Sequence, residues 1–69
     1  MSDFKTRLYN EKSELSDKVE KLESFINGEN FKSVDVHQQY LLKSQVHAMR
    51  AYLMILQHRI FLLEPQASV

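Results

Sequence analysis

LLKSQVHAMRAYLMILQHRIFLL, residues 41–63, is the stretch whose pattern decides the fold. Leu42, Val46, Met49, Leu53, Leu56, Ile60 and Leu63 recur in it at spacings of 4, 3, 4, 3, 4 and 3. Such alternation places side chains on one face of an α-helix. Between those positions the segment stays apolar, and Ala51-Tyr52-Leu53-Met54-Ile55-Leu56 runs all the way round the helix. From Val36 to Leu63 the only formally charged residues are Lys43, Arg50 and Arg59. A helix that is apolar on more than one face has to be covered on more than one side. A chain of 69 residues has little left with which to cover it, so the surplus points to other chains.

Downstream, Pro65 ends this helix near Glu64, because proline disfavours helical geometry in the residue before it. The tail 66–69 is expected to fray. Upstream, Asp35 with Gln38 three residues later reads as a capping box, so the helix spans about 36–64. Asn27-Gly28 signals the end of an earlier helix, since either residue tolerates the left-handed backbone of a C-cap. Phe31, in the connection 28–34, is expected to tuck back onto the end of the hairpin. The earlier helix covers about 3–27, with Phe4, Leu8, Leu15, Val19, Leu22, Phe25 and Ile26 as its apolar positions. Glu11 and Lys12 interrupt that pattern, which leaves the N-terminal part of the helix open to being a separate element. On the opposite face Glu14 precedes Lys18, and Asp17 precedes Lys21, by four residues. Each such pair stabilises an exposed helix by about 0.2–0.5 kcal/mol.

A short connection between two long helices favours an antiparallel pair. The predicted fold is all-α: an antiparallel helical hairpin forming a single domain, 1–69, assembled as a homo-oligomer. At 1.5 Å per residue the helices are roughly 36 and 42 Å long, too thin a pair to bury itself. Tyr52, Met54 and Ile55 are left for the oligomer interface.

Size and composition point the same way. Sixty-nine residues sit at the lower end of independent stability, and with no cysteine there is no disulfide or thiolate site to staple them. Small unstapled scaffolds rely on oligomerisation or very good helix packing. Nine basic and nine acidic residues cancel, so no overall field draws the chain to nucleic acid, and no basic stripe marks a duplex-binding face. Met1-Ser2-Asp3-Phe4-Lys5 lacks the apolar run of a signal peptide, and no apolar run is long enough to span a bilayer. These features predict a soluble, cytoplasmic protein with no membrane partner.

Chemistry-bearing motifs are sparse. His47 and His58 share a helical face but lie about 16 Å apart, too far to hold one metal ion within a protomer. There is no HExxH spacing, cysteine nucleophile or glycine-rich phosphate loop. Charges paired four apart are usually solubilising. No catalytic residue, metal site or cofactor is expected, and the chain is not read as an enzyme.

The N-terminal segment differs. Phe4, Arg7, Leu8, Tyr9, Lys12, Lys18 and Lys21 mix aromatic rings with cations, and Phe4, Glu11, Lys18 and Phe25 are each seven apart, on one stripe. In the ordinary case Phe4 packs while Arg7 and the lysines make surface pairs. In the functional case two protomers meet there, rings stack on bases, and Lys or Arg neutralises phosphates.

Taken together, Arg7-Leu8-Tyr9-Asn10-Glu11-Lys12-Ser13-Glu14-Leu15, Lys18 and Lys21-Leu22-Glu23-Ser24-Phe25-Ile26 resemble a phage family. The likeness continues through Phe31 and Leu41-Leu42 to Gln45, Met49, Tyr52, Leu56 and Arg59-Ile60. The family is that of the anti-CBASS sponges, small helical phage proteins, grouped with crAss-phage-related ones, that sequester cyclic oligonucleotide messengers. The resemblance implies a homohexamer of helical hairpins in the host cytoplasm. It also implies cyclic dinucleotides such as cGAMP held between protomers, trapped without cleavage, by an aromatic residue near the N-terminus and a lysine of the first helix. Cyclic trinucleotides bind some members in separate pockets. Carried over, Phe4 or Tyr9 is the stacking ring and Lys18 or Lys21 the phosphate lysine, with Arg7 beside them. A different class of function fits the same sequence: a helical adaptor or inhibitor that docks a host protein through residues 51–56.

Overall fold

The computed structural model describes residues 3–64. Helix α1 runs Asp3–Ile26 and helix α2 runs Val36–Leu63, and a 3₁₀ turn, Glu29–Ser33, lies between them. The two helices pack along each other as an antiparallel hairpin. Helix α1 is continuous through Glu11 and Lys12, so its N-terminal part is not a separate element. Glutamate and lysine are good helix formers, and interrupting an apolar pattern does not interrupt the backbone. Lys12 is half-buried, in keeping with an aliphatic stem that covers apolar surface.

The stripe on α2 is the seam. Leu56 is wholly buried (0%) and Val46 nearly so, while Leu42, Met49, Leu53 and Ile60 are half-buried along the same face. Leu63, at the open end, is exposed. Leu8 and Val19 are the buried residues of α1. Phe31 closes the other end: it is buried, its ring meets Phe25 edge-on at 5.9 Å, and the Lys43 ammonium lies 5.7 Å from its centroid.

The turn is held by polar contacts. Asp35 Oδ2 accepts from the backbone N–H groups of His37 (3.0 Å) and Gln38 (3.3 Å), the N-cap expected of it. The side chain that ties the loop to the helix is Gln39 rather than Gln38. Its Nε2 donates to the carbonyls of Phe31 (3.1 Å) and Val34 (2.8 Å). At the end of α1 the sequence-based expectation needs correction, because no described residue has a positive φ. Gly28 is extended (φ −92°, ψ 173°). The helix tightens instead through Asn27 N–H to the Glu23 carbonyl (3.0 Å) and Gly28 N–H to the Phe25 carbonyl (3.1 Å). A Cβ at position 28 would lie 3.2 Å from the Ser24 oxygen, so glycine serves close approach rather than a left-handed turn. Glu64 is extended (φ −78°, ψ 148°), as the residue before Pro65 should be. The tail 66–69 lies outside the described residues.

The hairpin measures 51 × 27 × 17 Å with a radius of gyration of 15.9 Å, whereas a compact chain of this length has about 11 Å. Its accessible surface is 5665 Å², where a compact monomer of 8.2 kDa exposes about 4,500 Å². The excess is comparable to what one partner gives up in a standard interface, about 800 Å². Tyr40, Leu41, Met54, Ile55, Phe61 and Leu62 are each more than half exposed. No helix among the described residues is long and apolar enough to cross a membrane.

Candidate functional site

Helical geometry divides α1 into two flanks on either side of its buried row. Phe4 and Tyr9 are five residues apart, which turns them about 140° from each other. The two rings therefore belong to opposite flanks and cannot serve one pocket within a protomer. Glu11 and Lys18 follow Phe4 at heptad spacing and share its flank.

That flank meets α2 in a regular antiparallel register. The Arg59 guanidinium carbon lies 6.0 Å from the centroid of the Phe4 ring. Seven residues on along α1 and seven back along α2, the Tyr52 hydroxyl donates to the Glu11 carboxylate. On the other flank Arg50 pairs with Glu23. The same register puts Lys18 level with Gln45.

An open cavity of about 340 Å³ lies at the Phe4 end, lined by Phe4, Arg7, Leu8, Glu11 and Arg59. Leu8 is its buried member and the Phe4 ring an exposed one. Arg7 is anchored by its inner nitrogen, Nε, which donates to the Asp3 carbonyl at 3.4 Å. Two guanidiniums against one carboxylate leave one net positive charge in the cavity. A flat ring beside two guanidiniums suits a ligand with planar bases and phosphates, since arginine binds phosphate in a bidentate fork and aromatic faces accept stacked bases.

Of the residues singled out from sequence, the structure brings Phe4 and Arg7 together. Tyr9 is exposed on the other flank, and Lys18 and Lys21 are exposed well down the helix. Lys18 is fourteen residues from Phe4, about 21 Å along the axis, and Lys21 is nearly a turn farther. Of the expected interface residues, Tyr52 is partly engaged on the seam by its contact with Glu11. Met54 and Ile55 are exposed on faces about 100° apart. Met54 lines a second open cavity of about 330 Å³ with Gln57, His58 and Phe61 on the outer side of α2. His37, His47 and His58 are exposed, and no group of three or more His, Cys, Asp or Glu side chains among the described residues is placed to hold a metal ion.

Arg59 and Glu11 are the site residues that sequence reasoning left out. Their signal was present: in an antiparallel hairpin centred on the 28–34 turn, heptad positions of α1 pair with heptad positions of α2, and Phe4–Arg59 and Glu11–Tyr52 obey one register.

The family model described as Sequestin matches residues 2–62 of the chain. No curated protein and no solved structure matches it.

Proposed function

This chain belongs to the Sequestin family, whose name denotes sequestration, and we propose from that premise that it traps cyclic oligonucleotide messengers between protomers. The ligands are cyclic dinucleotides such as cGAMP, with cyclic trinucleotides as a further class, and the consequence is a block of CBASS signalling in the infected host. The protein acts as a homo-oligomer, a hexamer by the resemblance in its sequence, and holds the messenger without cleaving it.

The observation that carries this reading is the cavity that Arg59 and Arg7 line together with the exposed ring of Phe4. One net positive charge per protomer becomes two across a two-fold pair, matching the two phosphates of a cyclic dinucleotide. The base stacks on Phe4, worth about 1–3 kcal/mol. Lys18 and Lys21 lie too far down α1 to reach that ligand from the same protomer, so they act from a neighbouring one. Sequestration requires tight binding and no catalytic group.

Isothermal titration with cGAMP, cyclic di-GMP, cyclic di-AMP and a cyclic trinucleotide tests the proposal. Binding, followed by release of unmodified ligand on heating, supports it; recovery of linear product would make the protein an enzyme. No heat and no thermal shift with any of them would sink it. The exposed Tyr40, Leu41, Met54, Ile55, Phe61 and Leu62 favour a second reading, a helical adaptor that docks a host protein. That reading predicts a partner recovered by pull-down and no response to nucleotides.

A further inference from the structure

Glu11 is the member of the cavity that phosphate binding does not explain. A carboxylate beside Arg7 and Arg59 subtracts from the potential that attracts an anion. Yet it is held in place, since the Tyr52 hydroxyl of the facing helix donates to its Oε2. That contact fixes the head of an otherwise exposed side chain and occupies one of its roughly four acceptor positions. Oε1 and the remaining lone pairs of Oε2 stay available to a ligand.

Resting on the cyclic-dinucleotide reading of this cavity, we infer that Glu11 selects guanine, with Tyr52 as its positioning residue. A fixed carboxylate with two oxygens accepts from two adjacent donors. Guanine alone among the common bases presents such a pair on its Watson–Crick edge, N1–H beside the N2 amino group. Adenine offers one amino donor next to the N1 lone pair, which faces a carboxylate with repulsion. Cytosine has the same donor–acceptor arrangement, and the single N3–H of uracil sits between two carbonyl oxygens. A base stacked on Phe4 turns its edge along the cavity toward Glu11, which lies on the same flank about 10 Å farther along α1. Arg7 and Arg59 remain for phosphate. Bidentate pairing with a base edge discriminates against a wrong base by about tenfold or more.

Cyclic di-GMP and cyclic di-AMP share ring size and charge and differ only in the bases, so they are the probes. By isothermal titration the wild-type oligomer binds cyclic di-GMP at least about tenfold more tightly than cyclic di-AMP. Glu11→Gln, which keeps the shape but loses the charge, weakens cyclic di-GMP about tenfold relative to cyclic di-AMP, whose binding holds or tightens as the carboxylate leaves the cavity. Tyr52→Phe narrows the ratio between the two ligands in the same direction. Equal affinities in the wild type overturn the inference while leaving the sequestration reading intact. So does a Glu11→Gln variant that weakens both ligands alike, because Glu11 is then merely structural. Failure of the wild type to bind either ligand, or any other cyclic oligonucleotide, overturns the sequestration reading and this inference with it.

Discussion

The Tyr52 hydroxyl donates to the Glu11 carboxylate across the helix seam, joining residues 41 apart in the chain. It is a polar clasp on a hairpin whose apolar core is narrow. Both side chains are exposed, so water competes for the bond and its net worth falls below the usual range for a charged acceptor, to about 1 kcal/mol. Tyr52→Phe should therefore lower the melting temperature by about 4–8 °C, followed by circular dichroism. An unchanged melting temperature would mean that the clasp orders Glu11 without stabilising the fold.

Burial along α2 divides its leucines sharply. Leu56 is fully enclosed while Leu62 is 73% exposed, although both belong to the same apolar run. Leu56→Ala leaves a cavity on the seam and should cost about 2–5 kcal/mol. Leu62→Ala should change the stability of the hairpin itself by no more than about 0.5 kcal/mol. Urea unfolding of the two variants, with midpoint and slope read separately, distinguishes them. A loss from Leu62→Ala that depends on protein concentration would come from the oligomer interface and not from the hairpin seam.

The accessible surface exceeds that of a compact chain, and Ile55 and Leu62 supply part of the excess. A glutamate at either position sets an unpaired charge in any interface formed there. Ile55→Glu and Leu62→Glu should lower the solution mass measured by light scattering, whereas Lys18→Glu should leave it unchanged. A wild-type mass of 8.2 kDa would remove the assembly on which the proposed site depends.

Gly28 offers a check on the turn. In a left-handed C-cap, alanine would be strained; at φ −92° it is not. What remains is the tight approach of a Cβ to the Ser24 oxygen at 3.2 Å, set against the gain of about 0.4–1 kcal/mol from a stiffer unfolded chain. Gly28→Ala should alter stability by no more than about 0.5 kcal/mol in either direction, by thermal or urea melts. A loss well beyond that would mean that the Ser24 carbonyl cannot give way to the Cβ.

The hairpin and its seam were legible because the stripe from Leu42 to Leu63 has a helical period and one neighbour to meet. The N-cap at Asp35 was legible because its chemistry is local. Gly28 misled for a related reason: glycine marks a helix end both by adopting left-handed backbone and by lacking a Cβ, and sequence does not separate the two. The cavity at the Phe4 end was half legible. Phe4 and Arg7 announce themselves by residue type, whereas Arg59 and Glu11 matter only through a pairing between residues far apart in sequence. Whether Phe4 or Tyr9 belongs with Arg59 is fixed by the angle between them on α1, which needs the partner helix in place.

The distance from Phe4 to Lys18 leads to the most discriminating prediction. Both lie on one flank of α1, but about 21 Å, four helical turns, separates them. Two nucleotides closed into a ring do not bridge that span. If ring and lysine touch one ligand, they come from different protomers. Phe4→Ala and Lys18→Glu should each abolish cyclic dinucleotide binding as homo-oligomers. In a mixed oligomer of the two, the intact lysine of the Phe4→Ala protomer meets the intact ring of the Lys18→Glu protomer and rebuilds half of the two-fold site. The other half carries both lesions. Co-refolding the variants should thus restore weak but measurable binding of cyclic di-GMP, at a stoichiometry below that of the wild type. If Phe4 and Lys18 acted within one protomer, every protomer in the mixture would carry a lesion and nothing would be restored. Repeating the series with Lys21→Glu in place of Lys18→Glu identifies which lysine reaches across, since only a lysine on the ligand loses binding as a homo-oligomer and regains it in the mixture.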